Sequence, residues 1–227
     1  MSMRASGIGL VSPLVLVLAG VAPLLFMFPT SFHPYVPGQG IGTGWTLENY
    51  IRPFVDGYYR EVILRTLWIG FVVTLIALLI GYPLAYFMAR TTRTMRAVAT
   101  LLVMFPLFLN LVVRSFGWIA LLSNRGVVNN FLIYLGVIDH PIRMLFNMTG
   151  LVVGMVHIYL PFMVFMLLAS INGIPRDVEH AAATLEATPA QVFFKVTLPL
   201  TASGILAGCT IVFILTISAL VTPRLLG

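Results

Sequence analysis

The chain has 227 residues, of which 59% are hydrophobic and 9% are charged. Because soluble domains carry about a quarter charged residues, this composition excludes an ordinary water-soluble globular protein. The 13 Lys and Arg residues outnumber the 7 Asp and Glu residues and give a formal net charge of +6. These basic residues stand between apolar segments and form no basic stripe with interleaved aromatic residues. We therefore interpret them as topology signals and headgroup contacts, and we predict no nucleic-acid partner.

The N-terminal part predicts one membrane span followed by a loop. Residues 7–28 are apolar and long enough to cross the hydrocarbon core, which needs about 20 residues. They lack the short apolar stretch and small-residue cleavage site of a signal peptide, so we predict an uncleaved helix, residues 1–28, with a cytoplasmic N-terminus. Residues 29–61 are rich in Gly, Pro and aromatic residues and predict a periplasmic loop. Its aromatic residues that suit a membrane interface are Trp45, Tyr50, Tyr58 and Tyr59.

The remaining apolar segments predict a core transmembrane domain over residues 62–221. Its four spans are predicted at residues 62–88, 97–122, 149–171 and 200–221. The loop between the first two contains Arg90, Arg93 and Arg96, which is the strongest cytoplasmic marker in the chain. Residues 123–147 predict an outer loop with a short interfacial helix. Counted from a cytoplasmic N-terminus, the five spans place the C-terminus outside.

One polar segment, residues 172–199, interrupts the second half of the chain. Its run HAAATLEA contains good helix formers, and Pro189 suits the first turn of a second helix with Thr188 as the N-cap. We predict two short helices at the inner membrane face. They would form a rigid protrusion that a partner protein can bind and move, and this movement would reach the neighbouring spans.

This segment resembles the EAA loop of binding-protein-dependent ABC importer permeases. The family pattern is E-A-A, three residues, Gly, nine residues, then I-x-L-P. At unchanged spacing, the pattern is occupied here by His180, Ala181, Ala182, Glu186, Val196, Leu198 and Pro199. The resemblance implies that the loop docks as a coupling helix into a groove of a cytoplasmic ATPase subunit.

Two positions depart from the family pattern. His180 replaces the usual glutamate, and the adjacent Glu179 is a possible substitute for it. Glu186 replaces the glycine of the turn. Because only glycine adopts a positive φ at little cost, an acidic residue there argues against a left-handed turn. We therefore expect the docking to differ in detail from that of the family.

The resemblance covers nearly the whole chain. The strings TLENY (46–50), GYPLAYFMAR (81–90) and VVRSFGW (112–118) are similar to the branch of permeases that resembles the spermidine/putrescine system. The resemblance implies an all-α, polytopic transmembrane bundle with the ABC importer permease (MetI-like) fold, located in the bacterial inner membrane. Such permeases usually have six spans, so we expect residues 222–227 to be a truncated C-terminal end.

The resemblance also implies the mechanism and the partners. The partners are a cytoplasmic ABC ATPase dimer, a second permease subunit, a periplasmic solute-binding protein and membrane lipid; for the permease pair a heterodimer is favoured. ATP-driven closure of the ATPase dimer would push the loop around Ala181 and Ala182 and open the path outward. A polyamine is the favoured solute, with iron, phosphate, sulfate or another small solute as alternatives, because no intramembrane carboxylate supports a cation.

Four residues are candidates for the translocation path: Arg114, Trp118, His157 and Tyr159. Charged and polar residues within spans are expensive in lipid and commonly mark solute pathways. Arg114 would lie roughly 26 Å along a continuous third span at about 1.5 Å per residue, near its outer end. Alternatively, Arg114 reaches outer headgroups or the partner permease, and His157 is a hydrogen-bonded packing histidine.

The sequence offers no site for catalysis, a cofactor or a metal. It lacks the Walker pattern G-x-x-x-x-G-K-[ST], so ATP hydrolysis falls to a separate subunit. Its four histidines show no metal-ligand spacing, and the single cysteine, Cys209, is interpreted as a small buried hydrophobe. A membrane enzyme would need paired carboxylates or a His/Asp/Glu cluster. A scaffold or channel without an ATPase would not need the polar protrusion.

Overall fold

The computed structural model describes residues 20–23, 25–38, 40–184, 186–219 and 222–223, apart from the side chains at positions 176, 180 and 183. Residues 7–19 of the first predicted span lie outside this set. The chain divides into two compact units, Met1–Leu64 and Arg65–Gly227.

The first unit contains an ordered loop region rather than an extended linker. Helix α1 (Gly20–Thr30) precedes a two-stranded antiparallel hairpin, β1 (Tyr35–Val36) and β2 (Gly40–Ile41), and then helix α2 (Glu48–Val55). The Asn49 side-chain amide donates to the carbonyl groups of Ser31 (2.9 Å) and His33 (2.8 Å). These hydrogen bonds satisfy loop carbonyls with a side chain from α2 and so hold the loop against this helix.

Helices make up most of the second unit. The long helix α3 (Gly57–Arg90) leads into α4 (Arg93–Phe108), α5 (Leu111–Leu122), α6 (Val127–Tyr134) and α7 (Met148–Asn172). Then follow α8 (Arg176–Thr184), α9 (Pro189–Val192), a π-helical turn (Phe193–Thr197), α10 (Leu198–Leu200) and α11 (Ala202–Ile217). Helix α6 is the short helix expected within residues 123–147.

Among the described residues, two helices are long and apolar enough to cross a membrane, namely α3 and α7. Two bent pairs raise this number to four if each pair forms one span. In one, α4 and the stretch Leu111–Tyr134 meet at 102°; in the other, Pro189–Leu200 and α11 meet at 63°.

The predicted third span, residues 97–122, is not one continuous helix. Helix α4 ends at Phe108, two residues after Pro106. The Asn110 side chain then accepts a hydrogen bond from the Val112 amide (2.8 Å) and caps α5 in a new direction. A proline near a helix end and an asparagine with this local hydrogen bond both favour a break. The sequence-based prediction was wrong here because it followed hydrophobicity across the break.

Close packing of α7 against α11 forms the centre of the second unit. Buried residues of both helices belong to one core cluster with α3, including Val73, Met163, Leu167 and Val212. A Cβ at Gly204 would overlap the Ser170 side chain, and one at Gly208 would lie 2.7 Å from the Met163 sulfur. The glycines therefore allow close helix approach, as is common between membrane helices.

Candidate coupling and translocation sites

The polar segment 172–199, called the coupling segment below, contains the two expected short helices α8 and α9. Thr188 is the N-cap of α9, and Pro189 occupies its first turn. The Thr188 hydroxyl accepts from the Gln191 amide (3.3 Å), and the Gln191 side chain accepts from the Thr188 amide (2.9 Å). This reciprocal capping box satisfies two otherwise free N–H groups, and it confirms the predicted helix start.

The turn between α8 and α9 contradicts the expectation drawn from Glu186. This exposed residue has φ +59°, in the left-handed region. A left-handed conformation costs a non-glycine residue roughly 1–2 kcal/mol. The turn therefore has, at this position, the backbone conformation that glycine adopts easily, and it tolerates the strain.

Glu179 attaches α8 to the end of α3. Its Oε1 atom accepts from Arg90 Nη2 (2.5 Å) and from the Thr197 hydroxyl (3.0 Å). The side chains of Arg90 and Glu179 are only 18% and 16% exposed, and Thr197 is fully buried. The Glu179 carboxylate is therefore used within the chain. The expectation for the His180 side chain lies outside the described residues.

Tyr82, Tyr86 and Arg90 share one face of α3, because residues four apart in a helix lie one above the other. Phe193 of the π-helical turn packs edge-on against Tyr82 and Tyr86, with ring centroids 5.5 and 5.6 Å apart. The Tyr82 and Thr201 hydroxyl groups lie 2.9 Å apart. Because the Thr201 hydroxyl donates to the Leu198 carbonyl, Tyr82 is the donor to Thr201.

Residues 179–201 thus contact α3 at three successive levels, through Arg90, Tyr86 and Tyr82. Sequence reasoning missed this face. The available signal was the four-residue spacing of polar and aromatic residues within GYPLAYFMAR. On the other side of the segment, Ala181 and Pro199 are exposed, and Ala182 and Leu198 are half-buried. Ala181 and Pro199 are therefore not covered by the described part of the chain.

Two candidate path residues come together across α5 and α7. The Trp118 indole N–H donates to His157 Nδ1 (3.2 Å), and the two rings meet edge-on with centroids 5.2 Å apart. Tyr159 is half-buried and packs against the core cluster instead. His157 is therefore a hydrogen-bonded histidine, and Tyr159 is held mainly by packing.

Arg114 lies in the first turn of α5, just after the break, and not along a continuous third span. Its Nη1 atom donates to the Pro106 carbonyl (2.7 Å) at the end of α4. Its Nε atom is buried and has no hydrogen-bond partner among the described residues. The guanidinium group closes the bend between α4 and α5, and its charge has no described carboxylate partner.

A groove of about 410 Å³ runs between α3, α4 and α7. His157 is the one polar side chain among the described residues that line it, which otherwise include Leu84, Phe87 and Pro161. This lining offers no carboxylate to a cation. Nor do three His, Cys, Asp or Glu residues come together as a metal site in the described part of the chain.

Known proteins resemble this chain in sequence and in fold. The family model "Binding-protein-dependent transport system inner membrane component" matches residues 40–227. The spermidine/putrescine transport system permease protein PotB of Escherichia coli K12 is 36% identical over 212 residues, covering 93% of this chain and 77% of that protein. PotB of Haemophilus influenzae is 35% identical over 182 residues, covering 80% of this chain and 63% of the relative.

A solved bacterial ABC transporter for alginate import has the same fold in one of its chains. The TM-score is 0.65 at 18% identity, over 92% of this chain and 72% of that chain. This match confirms an ABC importer permease fold, and the family match confirms the resemblance found in the EAA loop. The chain therefore belongs to the binding-protein-dependent transport system inner membrane component family, as a multi-pass, non-catalytic permease subunit of an ABC importer.

Proposed function

We propose that this permease subunit imports a polyamine of the spermidine/putrescine class, which a periplasmic binding protein delivers and a cytoplasmic ATPase dimer drives. The observation that carries the choice of solute is the 36% identity to PotB over 93% of the chain. Because the binding protein supplies most of the selectivity in such systems, the permease needs no dense cation site. The apolar groove around His157 is compatible with weak contact during passage.

The coupling segment is proposed as the surface that the ATPase grips. Two observations support this role. The segment is a pair of short helices with an exposed alanine, Ala181, and it is attached to α3 through Glu179. A force applied to a loop without such contacts would deform the loop and would not move the spans. Force applied to this segment reaches α3 and α11, because it is tied to the first and continuous with the second.

The membrane topology is also part of the proposal. The arginines at positions 90, 93 and 96, which surround the junction of α3 and α4, favour a cytoplasmic location for that junction and for the coupling segment beside it. Five spans with a cytoplasmic N-terminus and a second, different permease as partner complete the proposed assembly. In it, the translocation path would be lined by Arg114, Trp118, His157 and Tyr159.

A second solute class remains the alternative within the same family. No carboxylate lines the groove among the residues that the structure describes. The lining therefore does not favour a polyamine over an iron chelate, phosphate or sulfate. A scaffold or channel without an ATPase would not require a coupling segment that is attached to α3.

Reconstitution tests both parts of the proposal. The chain would be purified with the products of its neighbouring genes, placed in proteoliposomes, and assayed for ATP-dependent uptake of labelled putrescine and spermidine. Phosphate, sulfate and a ferric chelate would be the competing solutes. Uptake of one of these instead would overturn the polyamine assignment and leave the permease role intact.

The coupling role has its own variant. Ala181→Arg should abolish co-purification of the ATPase, because a long charged side chain would stand in the docking surface. Ala181→Ser is the matched control and should retain the ATPase. Membrane insertion should be normal in both variants. An ATPase that stays bound to Ala181→Arg would contradict the docking role of this surface.

A further inference from the structure

We propose that the face of α3 formed by Tyr82, Tyr86 and Arg90 transmits the movement of the coupling segment, so that the two move as one rigid body. This inference rests on the proposed function, in which the ATPase moves that segment. It adds positioning residues on α3, a helix outside the EAA loop. The end of α3 thus takes part in coupling, in addition to spanning the membrane.

The first step of the argument is the distribution of the contacts. A single contact would let the coupling segment pivot about one point on α3. Three contacts at four-residue spacing cover about 12 Å of helix length at 1.5 Å per residue. They join α3 to three elements in turn: α8 through Glu179, the π-helical turn through Phe193, and the start of α11 through Thr201. A segment held in this way cannot pivot without breaking at least two contacts.

The second step concerns the strength of the outermost contact. Arg90 and Glu179 are mostly buried, and the Glu179 oxygen that faces Arg90 also accepts from the fully buried Thr197 hydroxyl. The Arg90 guanidinium group lies over the Tyr86 ring at 5.8 Å. Separating a desolvated pair leaves both charges uncompensated, which is strongly unfavourable. The pair therefore resists opening when the segment is pushed.

The third step concerns α10 and the bend before α11. Thr201 is fully buried at the junction where the Pro189–Leu200 stretch and α11 meet at 63°. Its hydroxyl donates to the Leu198 carbonyl and accepts from Tyr82. Tyr82 thus contacts the residue at the bend, and a displacement of α3 is transmitted directly to the start of α11.

Charge reversal tests the Arg90–Glu179 contact in the assembled transporter. In proteoliposomes, Glu179→Gln and Arg90→Gln should each keep the bound ATPase but lower the solute imported per ATP hydrolysed by roughly tenfold, within the range of coupling between sites. The double variant Arg90→Glu with Glu179→Arg should restore this ratio. A double variant that assembles with the ATPase but stays uncoupled would overturn the proposal, as would single variants with the normal ratio.

A milder pair of variants covers the case in which the charge variants fail to fold. Tyr82→Phe removes the hydroxyl that donates to Thr201. Tyr86→Phe removes a hydroxyl that makes no hydrogen bond to the described residues, and it keeps the ring against Phe193. Solute imported per ATP should fall in Tyr82→Phe and stay unchanged in Tyr86→Phe. Equal ratios in the two variants would contradict the role of Tyr82.

Cross-linking tests the rigid body itself. In a Cys209→Ala background, cysteines introduced at Tyr86 and Phe193 would be joined by a short, reducible bifunctional thiol reagent. Because both positions belong to one moving body, the cross-link should not block import. It should raise the solute imported per ATP above the value after reduction, since it replaces the ring contact that the two cysteines remove. Uptake that is blocked by the cross-link and recovers on reduction would overturn the proposal. Loss of ATPase association in the uncross-linked protein would instead implicate the proposed function.

Discussion

Arg90 and Arg114 both lie near helix ends in the second unit, and they are held in different ways. Arg90, the last residue of α3, meets the Glu179 carboxylate from a segment 89 residues away in sequence. Arg114, at the start of α5, donates to the Pro106 carbonyl only eight residues away. The first contact neutralises a charge and joins two distant elements, whereas the second closes a local bend and gives the charge no carboxylate partner among the residues that the structure describes. The same residue type therefore serves attachment in one place and chain reversal in the other.

The largest expected effect is a difference in the free energy of unfolding between alanine variants of the two arginines. Arg90→Ala would leave the mostly buried Glu179 carboxylate unpaired, at a cost of about 3 kcal/mol in the free energy of unfolding. Arg114→Ala removes one charged hydrogen bond, at about 1.5 kcal/mol. The Pro106 carbonyl would still accept from the Leu109 amide. Equilibrium unfolding of the purified permease measures both, and an equal or larger loss in Arg114→Ala would refute the distinction.

A smaller effect of opposite sign is expected at the turn of the coupling segment. Glu186→Gly should stabilise the permease by about 1 kcal/mol, because glycine adopts the left-handed conformation without strain. Glu186→Ala is the control: it removes the charge but keeps the Cβ atom, so it should give little gain. The same unfolding measurement applies. A gain in Glu186→Ala equal to that in Glu186→Gly would show that charge, and not backbone strain, is the cause.

The smallest expected effect lies on the α5 side of the comparison. Trp118→Phe removes the indole N–H that donates to His157, at about 0.6 kcal/mol, the average for hydrogen bonds between membrane helices. Trp68→Phe is the matched control, because Trp68 is 59% exposed and stacks on Phe71. Unfolding measurements on both variants should show the larger loss in Trp118→Phe. An equal loss in the control would mean that ring size, and not the hydrogen bond, matters at position 118.

Local rules were sufficient to predict several parts of the chain. The helix start at Thr188 and Pro189 could be predicted because a cap depends on residues only three positions apart. Segments α3 and α7 could be predicted because each contains an uninterrupted apolar run. The EAA pattern indicated the family because its spacing is kept even where the residues at positions 180 and 186 differ.

Predictions failed for other parts of the chain, because their structure depends on residues distant in sequence or on a competition between local effects. The break at Asn110 was missed because hydrophobicity continues across it, although Pro106 and Asn110 were both visible signals. The left-handed conformation of Glu186 was predicted wrongly, since only the intrinsic preference of the residue was weighed and not the geometry of the turn between α8 and α9. Arg90 was interpreted as a topology marker alone, and nothing near it in the chain pointed to Glu179.

The amino-acid sequence by itself determined that this protein resides in a membrane and carries a polar helical segment with the spacing of an ABC permease. These properties follow from composition and short-range pattern, which act through local hydrogen bonds and transfer of side chains from water. Only the tertiary structure decided which residues hold that segment to α3. Such contacts join residues up to 119 positions apart, and burial against a particular partner, which no local pattern encodes, selects them.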